Sequence, residues 1–276
     1  MSNSAFLSDL HIHTKQSGCA PRTSEAASYL PYCKQEGIRL LGISDHVYSD
    51  ETLYECGYVN ENKMSHLLVT RPILEELAKT SDVRFLFGCE AEYFPGQPPL
   101  ISQQESLSFD YILMAASHVL NQPRMYSAYD IHDPNVLRKL TIDRFVEACK
   151  LDYPVPMGIC HPLYPIGSNR QCEILDGISD ACLNELFSMA AEKKISIEIH
   201  ACLYRDGTPL NEYGLSDRYL RLLAAAKECG CMFHFGSDAH SPEMFIGVHD
   251  KLRKAAEILE ITEDDIWPVA KGITGR

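Results

Sequence analysis

A chain of 276 residues with 45% hydrophobic and 23% charged residues can bury one large core, which excludes a disordered or fibrous protein. Its net charge of −13 repels polyanions and no Lys/Arg-rich run interrupts that field, so nucleic acid is not an expected partner. The eleven cysteines are odd in number and lack the spacing of a secreted disulfide framework. They are expected as reduced thiols of a cytoplasmic protein. No basic segment leads into an apolar run at the start, and no later stretch stays apolar for about 18 residues, so neither export nor a membrane partner is expected. A small phosphate ester is compatible with the acidic chain, because bound divalent cations reverse the local field.

Taken in chain order, short apolar or β-branched runs alternate with helical patterns. The first strand is expected over 5–12, followed by a helix over 24–36 that Gly37 closes and Pro31 kinks. A strand over 40–44 leads to a helix over 64–79, and a strand over 83–89 to a long Pro- and Gln-containing loop over 93–108. Strands over 111–116, 155–160, 195–199 and 232–236 follow, with helices over 143–150, 180–193 and 217–228 between them, the last closed by Gly230. Seven strands separated mostly by helices imply an α/β fold with a parallel sheet, and no linker or low-complexity tract divides residues 1–276, so one domain is expected.

Nearly every strand run ends in a metal-competent side chain. The first carries Asp9, His11 and His13; the second ends Ser44-Asp45-His46, the third Gly88-Cys89-Glu90, and the fourth Ser117-His118. The fifth ends Cys160-His161-Pro162, the sixth Glu198-Ile199-His200, and the seventh runs Gly236-Ser237-Asp238-Ala239-His240. Carboxyl ends of parallel strands form the functional face of α/β folds, so these groups are expected to converge. His11 and His13 lie two apart, on one face of a strand, and Asp238 and His240 repeat the spacing. One strand-end histidine such as His118 is by itself more often a solvated or hydrogen-bonded residue than a ligand. Seven in succession are hard to explain by packing, because burying them without partners costs several kcal/mol. His66, His132, His234 and His249 fall outside the pattern and are read as ordinary residues. Cys33, Cys149 and Cys182 suit helix interiors, and Cys229-Gly-Cys231 lacks the second pair that a thiolate site needs.

In these motifs the sequence resembles the PHP (polymerase and histidinol phosphatase) superfamily, whose members are metal-dependent phosphoesterases on a distorted seven-stranded (β/α)7 barrel. The resemblance runs in order through Asp9-Leu-His-Ile-His-Thr14, Ser44-Asp-His46, Gly88-Cys-Glu90, Ser117-His118, Cys160-His-Pro162 and Gly236-Ser-Asp-Ala-His240. It implies two to three divalent transition-metal ions, zinc, iron or manganese. A first site is implied at His11, His13, Glu90 and Asp238, with Glu90 bridging to a second at His118 and His161. A third is implied at His46 and His240, completed by the position of Cys19, where some members carry histidine. Chain length and the run His200-Ala-Cys-Leu-Tyr-Arg205 look most like the histidinol-phosphate phosphatase branch, in which an arginine near the sixth strand meets the phosphate. That branch usually has asparagine in place of His200, which is read as a substrate contact or a group supporting the ligands.

The expected activity is hydrolysis of a small phosphate monoester, histidinol phosphate the leading named substrate, with the chemistry assigned to Glu90, Asp238 and Arg205. Asp9 and Asp45 either orient ligand imidazoles or cap backbone groups at strand ends. Two rivals remain at this point. One is a phosphodiester, nucleotide or amide hydrolase on the same barrel, and the other a non-catalytic metal-binding module.

Overall fold

The computed structural model describes residues 8–51, 57–92, 101–120, 129–201, 204, 209–272 and 274. The strands are β1 (Ser8–Ile12), β2 (Leu40–Ile43), β3 (His46–Val47), β4 (Arg84–Glu92), β5 (Tyr111–Ala115), β6 (Met157–Cys160), β7 (Ser196–His200) and β8 (Phe233–Gly236). All pair in parallel in the order β1-β2-β4-β5-β6-β7-β8, and β3 resumes the line of β2 against β4 after Ser44 and Asp45. The sheet returns on itself: Ile12 bridges to Ala239, His13 N donates to Ala239 O at 2.9 Å, and Asp238 N donates to His11 O at 2.8 Å. The result is a nearly closed seven-stranded α/β barrel, as the alternating pattern implies. Its strands, buried on both faces, read in sequence as continuous apolar runs because helices cover the outside while side chains fill the inside.

Below the carboxyl ends of the strands, the barrel interior is filled by Tyr111, whose hydroxyl donates to Leu10 O at 2.6 Å. Glycines make room for it. A Cβ at Gly88 would lie 2.2 Å from Tyr111 Cζ, and one at Gly42 would lie 2.1 Å from the Tyr111 hydroxyl. Gly88→Ala is therefore expected to cost about 1–3 kcal/mol of stability by overpacking. Denaturant unfolding checks this, and an unchanged midpoint would show that the ring has space to move. Trp267 closes the bottom, its backbone N–H donating to Phe233 O at 2.8 Å and its ring edge-on to Tyr111.

Several helices differ from expectation for identifiable reasons. The segment expected as one helix over 24–36 is a 3-10 turn (Ala26–Tyr29) leading into an α-helix (Leu30–Glu36). Pro31 lies in the first turn of that α-helix, where no partner is needed for its missing N–H, so it starts the helix rather than kinking it. The segment 64–79 divides into Met64–Leu67 and Thr70–Ala78, and the break falls at the turn that Pro72 deprives of a donor. The helix expected over 143–150 begins at Pro134, with Asp133 as its N-cap. Within the expected loop 93–108, residues 93–100 lie outside the described residues, and Gln103–Ser106 is a helical turn held by a Ser102/Glu105 capping box. The helix Val248–Ile258 was not anticipated. Among the described residues no helix is long and apolar enough to cross a membrane.

Candidate metal centre

The carboxyl ends of the strands bring eight of the nine expected ligands, His11, His13, His46, Glu90, His118, His161, Asp238 and His240, around Glu90 and Asp238. Glu90, on β4, is the middle of the cluster and is buried. Its Oε1 lies 2.9 Å from His161 Nε2 and 3.7 Å from His118 Nε2, while its Oε2 lies 3.1 Å from His46 Nδ1, 3.4 Å from His13 Nε2 and 3.5 Å from His11 Nε2. One carboxylate thus faces two groups of imidazoles, one through each oxygen. Asp238 completes the first group, with Oδ1 at 3.0 Å from His13 Nε2 and 3.6 Å from His11 Nε2.

The ninth, Cys19, joins from the rim: its sulfur lies within 4.8 Å of a ring nitrogen of each of His13, His46 and His240. His200 is at the site too, its Nε2 3.5 Å from Asp238 Oδ2, in a group with His11. Arg205 lies outside the described residues.

The orientation of the rings is more telling than their proximity. His11 Nδ1 is 2.7 Å from Glu198 Oε1, His118 Nδ1 is 2.6 Å from Glu92 Oε1, and His240 Nδ1 is 3.0 Å from the Asp238 carbonyl. Carboxylates and carbonyls only accept, so each Nδ1 carries a proton and Nε2 is the nitrogen left for another partner. His161 and His13 are held at Nδ1 as well, 2.5 Å from Ser117 Oγ and 3.2 Å from Ser17 Oγ respectively, where the hydroxyl can donate or accept. Five rings are therefore held by one nitrogen, four of them with the other turned at the carboxylates, which is how imidazoles are presented to a metal ion. The buried Nε2 atoms of His11 and His13 make no hydrogen bond. Leaving two such atoms unsatisfied in a protein interior is costly, and a cation between them and the carboxylates would satisfy both.

The electrostatics agree with this arrangement. Burial disfavours the His11 cation, but Glu198, Asp238 and Glu90 outweigh it and hold the ring well above the usual imidazole range. A divalent ion would replace that proton. Burial, reinforced by His240, takes His13 down to about 3, and burial takes His161 down to about 4, so both are neutral and ready to coordinate. For Glu90, burial is overcome by His46, His11 and His118, and it stays ionised. The backbone is also held in the sparsely populated left-handed region at His161 (φ 32°) and Asp238 (φ 51°), a strain that the surrounding contacts sustain.

Residues to which the sequence assigned no role support the ring nitrogens and carboxylates of the cluster, Glu198 at the sixth strand end among them. Glu198, whose Oε1 accepts from His11, also accepts the His161 N–H through Oε2 at 2.6 Å, and burial notwithstanding, His11 and His200 hold its pKa at about 2. Gly236 leaves space for it, since a Cβ there would lie 1.8 Å from Glu198 Oε1. Glu92 is anchored in turn by Arg144, which reaches in from the helix Pro134–Lys150, fully buried, and donates to Glu92 Oε2 at 3.3 Å and to Ala115 O at 2.5 Å. Asp9 and Asp45 cap backbone groups rather than orienting ligand rings. Asp9 accepts from His11 N and Ser237 N, and Asp45 from Thr14 N and its hydroxyl.

His249, expected to be ordinary, is buried and bonded to Asp9 at 2.9 Å, tying the helix Val248–Ile258 to the strand ends. His234 is a core residue bonded to Ser196, and His66 and His132 are exposed. Cys33 and Cys149 are core residues, whereas Cys182 is only partly buried. Cys229 and Cys231 donate to backbone carbonyls away from the cluster.

No family model matches the sequence, and no curated protein matches it. Among solved structures the fold is similar to that of histidinol phosphate phosphatase from Lactococcus lactis subsp. lactis, in complex with zinc, L-histidinol and phosphate. The TM-score is 0.64 at 12% identity, over 92% of this chain and 94% of that one. Weaker matches are archaeal ribonuclease P with mature tRNA (TM-score 0.43, 12% identity, 91% and 89% covered) and a putative prolidase from Bifidobacterium longum (TM-score 0.45, 14% identity, 98% and 70% covered). At these identities the first match establishes a common barrel, and the other two share too little of the fold to bear on function.

Proposed function

We propose that the protein is a metal-dependent phosphoesterase whose substrate is a small phosphate monoester. The observation that carries this reading is the set of pinned imidazoles turned on two ionised carboxylates at the carboxyl ends of a barrel. His11, His13, Glu90 and Asp238 would hold one divalent ion, and Glu90, His118 and His161 a second. His46, His240 and Cys19 would hold a third. Bound there, such ions supply Lewis acidity and bring the pKa of a coordinated water towards neutrality.

The chain's own residues do the rest. Glu90 presents one oxygen to His118 and His161 and the other to His11 and His13, so it would serve both inner positions. Asp238, 3.0 Å from His13 and 3.5 Å from His200, stays ionised, which keeps its charge at the reacting end of the first group. Glu198 and Glu92 hold His11 and His118 by Nδ1 with Nε2 turned to the cluster, and Ser117 keeps the His161 ring in place. His200, at the edge of the group, is assigned to substrate, and Arg205 to the phosphate, where its planar donors match the oxygens. Histidinol phosphate is the leading candidate substrate, supported by the histidinol and phosphate bound in the similarly folded phosphatase. The chain would act in the cytoplasm as one catalytic domain over 1–276.

A panel of metabolite phosphates, nucleotides and amides tests the assignment, with Arg205→Ala alongside. Loss of a charge-assisted bidentate contact is worth about 1.5–3 kcal/mol, so kcat/KM on a phosphate monoester should fall roughly ten- to a hundredfold with metal content unchanged. An Arg205→Ala enzyme with undiminished turnover would point instead to a substrate without a phosphate dianion, such as an amide.

A further inference from the structure

At the amino ends of the strands, the opposite end of the barrel from the metal centre, a cavity of about 400 Å³ opens between the end of the helix Asp180–Glu192 and the turn Pro268–Lys271. Its walls are largely apolar, with Val155 and Met157 at the entry to β6, Ile195 before β7, Met232 before β8, and Val269. Trp267, which closes the barrel beneath Tyr111, completes the lining. None of these residues belongs to the metal centre. The volume lies at the small end of the range of about 300–1,000 Å³ that small-molecule sites occupy.

The polar groups around this cavity are few, and their charges do not balance. The Tyr153 hydroxyl is committed to Ile101 O at 3.0 Å. The charged side chains of the lining are Lys193, Lys194 and Asp152, two ammonium groups to one carboxylate, in a chain whose net charge is −13. Both lysines are exposed, and among the described residues neither has an ion pair, whereas Lys139, Lys150 and Lys254 each pair with a carboxylate on their own helix. The backbone fixes the turn that carries them: Lys193 N donates to Met189 O at 3.3 Å, Lys194 N to Ala191 O at 3.0 Å and Ile195 N to Ala190 O at 2.9 Å. Lys194 itself lies in the left-handed region (φ 57°), which glycine would adopt at lower cost.

We propose that this cavity is a second binding site, for a small aromatic monoanion of the aryl carboxylate class. The ring displaces water from the apolar walls, where the Met157 and Met232 sulfurs make favourable contacts with an aromatic edge. The carboxylate lies at the mouth against Lys193 and Lys194, and the one positive charge left after Asp152 is counted matches a single negative one. A free phosphate gains nothing from apolar walls, and a neutral ring leaves the two ammonium groups without a partner. The site is independent of the metal centre and of the phosphoesterase reading.

Trp267 is the only tryptophan of the chain, so its fluorescence reports on this cavity. Naphthoate titrated into the purified full chain should quench that fluorescence saturably, at one molecule per chain, and equally with and without inorganic phosphate at constant ionic strength. Its affinity should fall roughly three- to tenfold in the double variant Lys193→Gln/Lys194→Gly, the scale set by two exposed charge pairs, and the neutral amide of naphthoate should bind the parent chain more weakly by a similar factor. Glycine suits the left-handed backbone at 194, so the variant should keep the parent's unfolding midpoint. The absence of saturable quenching would overturn the site, as would quenching that phosphate abolishes, which would place the naphthoate at the metal centre. Equal affinity for naphthoate and its amide, undiminished in the double variant, would overturn the assignment to an anion.

Discussion

Glu90→Gln should abolish phosphatase activity to within about 1% of the parent or less and empty the inner metal positions. Losing a residue that merely supports a metal ligand costs about 10- to 100-fold, and Glu90 faces five imidazoles directly, two through one oxygen and three through the other. An amide has one coordinating oxygen, no charge, and an NH2 group that would confront one of the two sets of nitrogens. The same substitution leaves the shape almost unchanged, so loss of activity would report charge and coordination rather than packing. Cys19→Ser, at the rim, should have the smaller effect. Kinetics and metal content measured together check this, and a Glu90→Gln protein with full activity and full metal would show that the carboxylate does not bridge.

Glu198→Gln is expected to weaken metal affinity about 10- to 100-fold although Glu198 is assigned to no ion. Its two oxygens accept from two donors, His11 Nδ1 at 2.7 Å and His161 N at 2.6 Å. Glutamine can satisfy only one of these, and its amide then faces the other N–H donor to donor. An unmet buried donor costs about 1–3 kcal/mol, so unfolding should occur at lower denaturant as well. Metal titration and unfolding together distinguish this from a purely catalytic defect. Unchanged affinity would mean that His11 holds its orientation without Glu198.

The seven-stranded order was legible because barrel strands are buried on both faces and end at the site, so apolar runs closed by His, Asp or Glu mark them directly. The supporting groups were less so. The strand expected to end at 89 runs to Glu92, and continuing its alternation by one step past Glu90 would have placed Glu92 on the same face. Glu198 had the same signal, two residues before His200. The helix Val248–Ile258 carries apolar side chains at 248, 252, 255 and 256, a clean helical spacing that was open to reading and brings His249 to Asp9. Arg144 was not legible in this way. An arginine on a helix is ordinarily a solvated residue, and only the tertiary structure turns this one inward onto Glu92 and the Ala115 carbonyl. The reading of Asp9 and Asp45 turned on the same point, since proximity in sequence to ligand histidines did not reveal that their oxygens face backbone N–H groups.

The central claim, that these side chains hold a cluster of divalent ions, is tested most directly by elemental analysis of the purified full-length chain after incubation with zinc, manganese or iron and removal of excess. About two to three ions per chain are expected from the number of ligands brought together, with hydrolysis of a generic aryl phosphate that a chelator removes and added metal restores. A folded chain that retains none of these ions would contradict the account.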